Sequence, residues 1–404
     1  MFRGISAQGV ASWDFSARTD IGNFGVNAGI TFPASLPRFW VGGTGNWSDP
    51  AHWADSSGGA GGTRIPLSQD DVFFDSASFT APGQQVVQDF VTYGRTVSFS
   101  GVTNNPTIKA VVGTWTNCGG LILSAAMTFE DSAVTLNGCG GVGSKYQFDG
   151  AGKTWAGASL VFAGTGSTYV LSSALTATAP VFVSDGILDL GGFGITVGSL
   201  QVSGFGFSPV AYFGSSTLVF NGNSNSLNVA SGGTVYAESS TIRVTGALTA
   251  ARTFNGGGGI FGRVEILTTG AFPNQVAGSS EIRSLFIDAS AAARTVNFTA
   301  GTVTRIGALS RDAGTNTITI GSITAANHML VNTSGAPLTI HHASISRSDA
   351  VSDAQSVWLT PIRFRINGPA YPTSIGVASM SGGSGWYATS STDGGNNSGW
   401  TITP

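Results

Sequence analysis

Apolar and polar residues alternate along most of this chain in runs of three to six positions, broken by Gly, Asn or Ser. One phrase carries the pattern most clearly: a small residue, then alternating apolar positions, then a closing glycine. It reads Ser132-Ala-Val-Thr-Leu-Asn-Gly138 and Ala158-Ser-Leu-Val-Phe-Ala-Gly164, and returns at Gly186–Gly192, Ser216–Gly222 and Ser240–Gly246. The closing glycines stand 26, 28, 30 and 24 residues apart. Period-two alternation over short runs predicts half-buried strands. The β-branched content of Thr234–Ala237, Val264–Leu267, Ser284–Asp288 and Thr317–Ile320 agrees with that. No run repeats apolar residues at helical spacing over three turns.

A strand-and-turn unit recurring at this length predicts a chain wound into stacked coils. Parallel crossovers are strongly right-handed, so the expected fold is all-β, a right-handed parallel β-helix or β-solenoid. Val134, Leu136, Leu160, Phe162, Leu218, Phe220, Ile242 and Val244 are its expected inward positions. Roughly ten coils at ~4.8 Å each give a body on the order of 50 Å long.

The ends break this pattern and divide the chain into four segments. Residues 1–38 alternate loosely through Val10, Trp13, Phe15, Ile21, Phe24, Val26, Ile30 and Phe32. They read as an extended arm, either an attachment segment or a strand laid over the first coil. Residues 39–76 are rich in Trp and Gly, residues 77–350 form the solenoid, and residues 351–404 close it. Open coil ends expose unpaired sheet edges, and solenoids need terminal caps. Trp40, Trp47 and Trp53 at one end, with Trp386 and Trp400 at the other, are placed to cap or to form an interface. The competing role for either cluster is a ligand-binding platform. His52, between tryptophans, reads as a hydrogen-bonding member of the capping layer.

Composition narrows the partners. Only 10% of the 404 residues are charged and 59 are glycine, so hydroxyls, amides and backbone must solvate the surface. The net charge is -3, with three lysines (Lys109, Lys145, Lys153) and scattered arginines. Nucleic-acid binding needs a positive stripe to neutralise phosphates, and none is present. No stretch approaches the ~20 apolar residues of a membrane span. Met1–Gly9 has one basic residue and no apolar region of the kind a secretory signal carries. Cys118 and Cys139 lie 21 residues apart, close to one coil, within reach of a disulfide if stacked on neighbouring rungs. Assembly in a reducing cytoplasm favours two small buried thiols instead.

Two terminal phrases carry a resemblance. Phe39-Trp-Val-Gly-Gly-Thr-Gly-Asn-Trp-Ser-Asp-Pro-Ala-His-Trp53, followed by Arg64-Ile-Pro66 and Asp70–Asp75, is similar to the start of a β-solenoid family. That family occurs in bacteriophage and prophage genomes and in some bacterial cell-surface proteins. Pro337–Ala350 resembles its last coils, and Gly385–Ala388 with Asp393-Gly-Gly-Asn-Asn-Ser-Gly-Trp400 resembles its closing segment. The likeness covers roughly residues 39–403, and Arg363–Pro372 departs from it. It implies a non-enzymatic structural protein of a virion, on a tail fibre, an appendage or the capsid surface. The expected partners are other virion proteins, further copies of the chain (a trimer among the options) and a host surface glycan or protein. The alternatives are a bacterial surface adhesin and a polysaccharide depolymerase.

Candidate chemistry is sparse. Glycoside hydrolysis needs two carboxyls about 5–9.5 Å apart, and Glu130 with Asp131 and Asp149, or Asp185 with Asp189, are the pairs to examine. Asp70, Asp71 and Asp75 offer oxygens to calcium but lack a loop of recognised spacing. His341 and His342, adjacent in an expected strand, would face opposite sides. No catalytic residue, metal site or cofactor is expected.

Overall fold

The structure, a computed structural model, describes residues 5–7, 12–25, 27–90, 93–111, 113–130, 133–223, 225–230, 232–352 and 385–404. Val10, Val26, Asp131, Ser132 and Arg363–Pro372 lie outside the described residues. The fold is all-β, a parallel β-solenoid of about twelve turns. Its one helical element among the described residues is the 3-10 turn Pro50–His52. The chain divides into two compact units, residues 1–240 and 241–404.

In the first unit each coil visits three faces in turn. Leu160–Phe162 lies on the first face, Thr168–Leu171 on the second and Leu175–Ala177 on the third, and Val181–Val183 returns to the first. Alternation decides which side chains go inside. Leu160 and Phe162 are buried with Val161 between them facing out, and Leu218 and Phe220 repeat this on the third face. All eight expected inward residues are buried. Their rows stack in register: Val134 on Leu160 on Val181 on Leu200 on Leu227.

The coil is uneven, which the recurring phrase conceals. Val134 and Leu160 are neighbours on successive rungs 26 residues apart, whereas Val181 and Leu200 are only 19 apart. The phrases at 132–138 and 158–164 supply the first face, that at 186–192 the second, and that at 216–222 the third. The phrase therefore marks a kind of strand and turn, not a fixed place in the coil.

The arm is partly secured to this unit. Trp13–Asp14 pairs in parallel with Ile30–Thr31. Gln69 accepts from the Asn23 amide at 3.0 Å and donates to the Ile21 and Pro33 carbonyls. Ser68 Oγ donates to the Asn23 carbonyl at 2.9 Å, and Phe24 meets Tyr93 edge-to-face. Ile21, Asn23, Pro33 and Leu36 are thus tied to the coil that carries Ser68–Asp70.

In the second unit the strands lengthen. Ile260–Ile266 pairs in parallel with Ser280–Ile287, while Arg252–Asn255, Asn274–Ala277, Arg294–Phe298, Ile318–Ser322 and Ala343–Ile345 stack as another face. The unit ends in Leu338–His341, Trp386–Thr389 and Trp400–Thr403, all parallel. Asn397 fastens this end by donating to the Ile345 carbonyl at 2.7 Å and accepting from the Ser348 amide. Ser398 Oγ donates to Asp349 at 2.8 Å. Gly399 has φ +71, and a Cβ there would sit 1.6 Å from the Ala350 carbonyl oxygen. Only glycine fits so close an approach, which accounts for its place before Trp400.

Candidate functional site

The aromatic phrase at 39–53 folds into a buried layer. Pro37–Trp40 pairs in parallel with Asp71–Phe73 on one side and antiparallel with Trp53–Ala54 on the other. Trp40, Trp47 and Trp53 are all buried, with Trp47 against Trp53 at 4.8 Å and against Trp115 at 5.2 Å. Two of the indole N–H groups are paired inside the layer: Trp40 donates to the Gly43 carbonyl and Trp53 to that of Trp47. His52 stacks flat on Trp40 at 4.8 Å, with Nδ1 2.8 Å from the Val41 carbonyl oxygen. At the other end of the chain Trp386 is buried and meets Trp400, its register partner, at 5.0 Å. These rings are turned into the protein, so none of Trp40, Trp47, Trp53 or Trp386 offers a free face to a ligand.

The carboxylates named from the sequence are held in local structure. Asp185 accepts from Thr165 Oγ1 at 2.7 Å and from the Gly186 amide at 2.8 Å. Asp189 and Asp149 accept from the amides of Gly191 and Ala151, and Asp75 from that of Ala77. Asp70 is fully buried; it pairs with Arg64 and accepts from the amides of Leu36 and Leu67. Asp71, on the opposite side of the strand, pairs outside with Arg95. Asp70, Asp71 and Asp75 therefore do not converge. Pairing of Asp131 with Asp149 falls outside the described residues.

Two expectations are corrected. Cys118 and Cys139 are joined as a disulfide with a Cα separation of 4.8 Å, not left as thiols. The one-rung spacing is the expected one; the choice for thiols rested on an assumed compartment, which local geometry does not obey. His341 ends a strand and contacts Thr389, but His342 has φ +50 and lies in the turn beyond it. The two rings are therefore separated by a turn, not by the alternation of one strand.

A site that sequence reasoning missed lies on the second face of the first unit. An open cleft of about 500 Å³ is lined by Asp71, Phe73, Arg95, Thr96, Gly140, Ser144, Lys145 and Tyr146. Its walls are outward residues of stacked strands, Asp71 and Phe73, Thr96, and Lys145, with Gly140 and Ser144 from a turn. Coils above and below place Thr96 and Gln147 outward, and between them stands Gly120. Beside it, a Cβ on Gly119 would lie 2.5 Å from the Tyr146 ring. Both glycines are buried, and a Cβ on Gly119 would lie 2.2 Å from the Arg95 carbonyl oxygen and one on Gly120 2.8 Å from that of Gln147, so glycine lets these coils pack closely beneath the cleft. Tyr146 is fixed by its hydroxyl oxygen, which accepts from the Gly140 amide at 2.7 Å. Arg95 Nε donates to Asp71 Oδ1 at 3.0 Å, and a second, parallel contact completes a bidentate pair that raises the Arg95 pKa. The sequence carried no signal for it, because its lining comes from separate segments that only coil stacking brings together.

The same face carries an exposed aromatic ladder, Tyr212 stacked on Tyr236 at 4.8 Å, in register with Asp189. Phe205, in a turn, is 96% exposed. No helix among the described residues is long and apolar enough to cross a membrane. Comparison with family models, with curated proteins and with solved structures finds no match to this chain.

Proposed function

We propose that this chain is a non-enzymatic structural protein of a phage virion, a β-helical tail fibre, appendage or capsid-surface component that contacts the host. The observation that carries the reading is the employment of its carboxylates. Asp70, Asp71, Asp75, Asp149, Asp185 and Asp189 each serve a turn, a strap or an arginine. A hydrolase would instead set one carboxyl against another across a substrate. The phage assignment rests on the likeness of the two terminal phrases. In this reading the coils wind right-handed, and the buried tryptophan layer and the Trp386–Trp400 pair act as caps that hide sheet edges. The chain assembles with further copies of itself, and a trimer suits its uncharged Thr and Ser faces.

A second reading, a bacterial surface adhesin, is favoured by the Cys118–Cys139 disulfide, because such bonds persist mainly in oxidising surroundings. Mass spectrometry of purified virions tests the choice. The proposal expects the chain at a constant copy number per particle. Its absence from particles, with recovery from the bacterial envelope, overturns the virion reading.

A further inference from the structure

We propose that the cleft on the second face of the first unit binds a carboxylated sugar residue of an acidic polysaccharide. Charge is the first argument. The chain has three lysines: Lys153 Nζ donates to the Ala125 and Met127 carbonyls, and Lys109 lies in another sheet, in register with Glu130. Lys145 is exposed on the rim of the cleft and has no ion-pair partner among the described residues. Arg95 is already held by both oxygens of Asp71. The site therefore presents one spare positive charge beside a neutralised pair, which suits a single carboxylate. A nucleic acid would need several cations in a row.

Shape and apolar surface argue for a sugar. Phe73 faces outward and stacks on Phe39 at 5.0 Å with an interplanar angle of 22°. Such a ring offers apolar surface to the C–H face of a pyranose while its polar neighbours take the hydroxyls. Thr96 and Ser144 supply hydroxyls, and Asp71 supplies acceptor oxygens, in the same cleft. The cleft is open to solvent, so a polymer can cross it without threading an end. Beyond the cleft the outward row continues through Gln147, whose amide donates to Ser172 Oγ at 2.7 Å, a polar track for neighbouring sugars. Each contact is weak alone, and repeated copies on one particle would supply avidity.

This names a ligand for the host contact proposed above and rests on that reading for its biological setting. The experiment is done on the isolated full chain, so its failure leaves the virion assignment standing, and failure of that assignment leaves the binding result intact. Tetragalacturonate, maltotetraose and a sulfated tetrasaccharide are titrated calorimetrically against the protein at about 150 mM salt, where long-range attraction is screened. The expected result is binding of tetragalacturonate alone. Lys145→Glu, at an exposed side chain that nothing else uses, is expected to melt like the parent and to lose at least about tenfold in affinity, or about 1.4 kcal/mol. Phe73→Ala is expected to weaken binding severalfold. No binding of tetragalacturonate, equal binding of the neutral or sulfated oligosaccharide, or undiminished binding by a folded Lys145→Glu variant overturns the proposal.

Discussion

At the scale of single residues, His328 shows how the interior sets a pH dependence that no motif announces. Its ring is buried, stacks on Phe298 at 4.9 Å and finds no hydrogen-bond partner for either nitrogen among the described residues. Burial pushes its pKa down from 6.5 to about 4, against a smaller opposing pull from Asp349. Between those values the unfolded chain binds the proton and the folded chain does not. Stability is therefore full above pH 6.5 and falls as the pH drops towards 4. The loss is on the order of 3 kcal/mol. Thermal melts at pH 7 and pH 5 should show a drop in midpoint that shrinks in His328→Phe; an unchanged drop in that variant would place the acid sensitivity elsewhere. The sequence concealed this residue because His328-Met-Leu-Val-Asn332 reads as an ordinary strand, and only neighbouring coils decide that its first side chain points inward. Leu218 and Phe220 were legible for the opposite reason: two-residue alternation is a property of the strand itself. Asp70 lies between these cases. Its acidity was visible, but its use was not, since Arg64 and the amides of Leu36 and Leu67 reach it from separate segments.

At the scale of elements, strands and turns were readable and the coil was not. Short runs such as Thr317–Ile320 appear where expected, at Ile318–Ser322. Coil length, however, is set by turns that vary freely, so similar phrases land on different faces. The cleft has the same explanation. Asp71, Thr96 and Lys145 line one cleft only once their strands are stacked on the same face. The Cys pair shows a spacing read correctly and a chemistry read from the wrong premise. Its bond closes a segment of 21 residues, which in a chain-entropy account contributes about 3 kcal/mol. Reduction and alkylation should lower the melting midpoint, and Cys118→Ser with Cys139→Ser should lower it similarly and abolish the response to reductant. An intact mass showing two free thiols in protein isolated without reductant would contradict the bonded state.

At the scale of the molecule, the claim that supports every other is that aliphatic rows from sequence-distant strands form one continuous interior within each unit. Val134, Leu160, Val181, Leu200 and Leu227 make such a row in the first unit, and Val296, Ile320 and Ile345 in the second. Ladders of this kind shield strand amides on both sides, while turns stay open to solvent. Hydrogen–deuterium exchange of the full chain, read by mass spectrometry, tests this most directly. Peptides covering Leu160–Phe162, Leu218–Phe220, Ser280–Ile287 and Ile318–Ser322 should exchange orders of magnitude more slowly than the turn holding Phe205. Rapid, even exchange across residues 134–345, with the strand peptides no slower than that turn, would contradict the solenoid and every surface placed upon it.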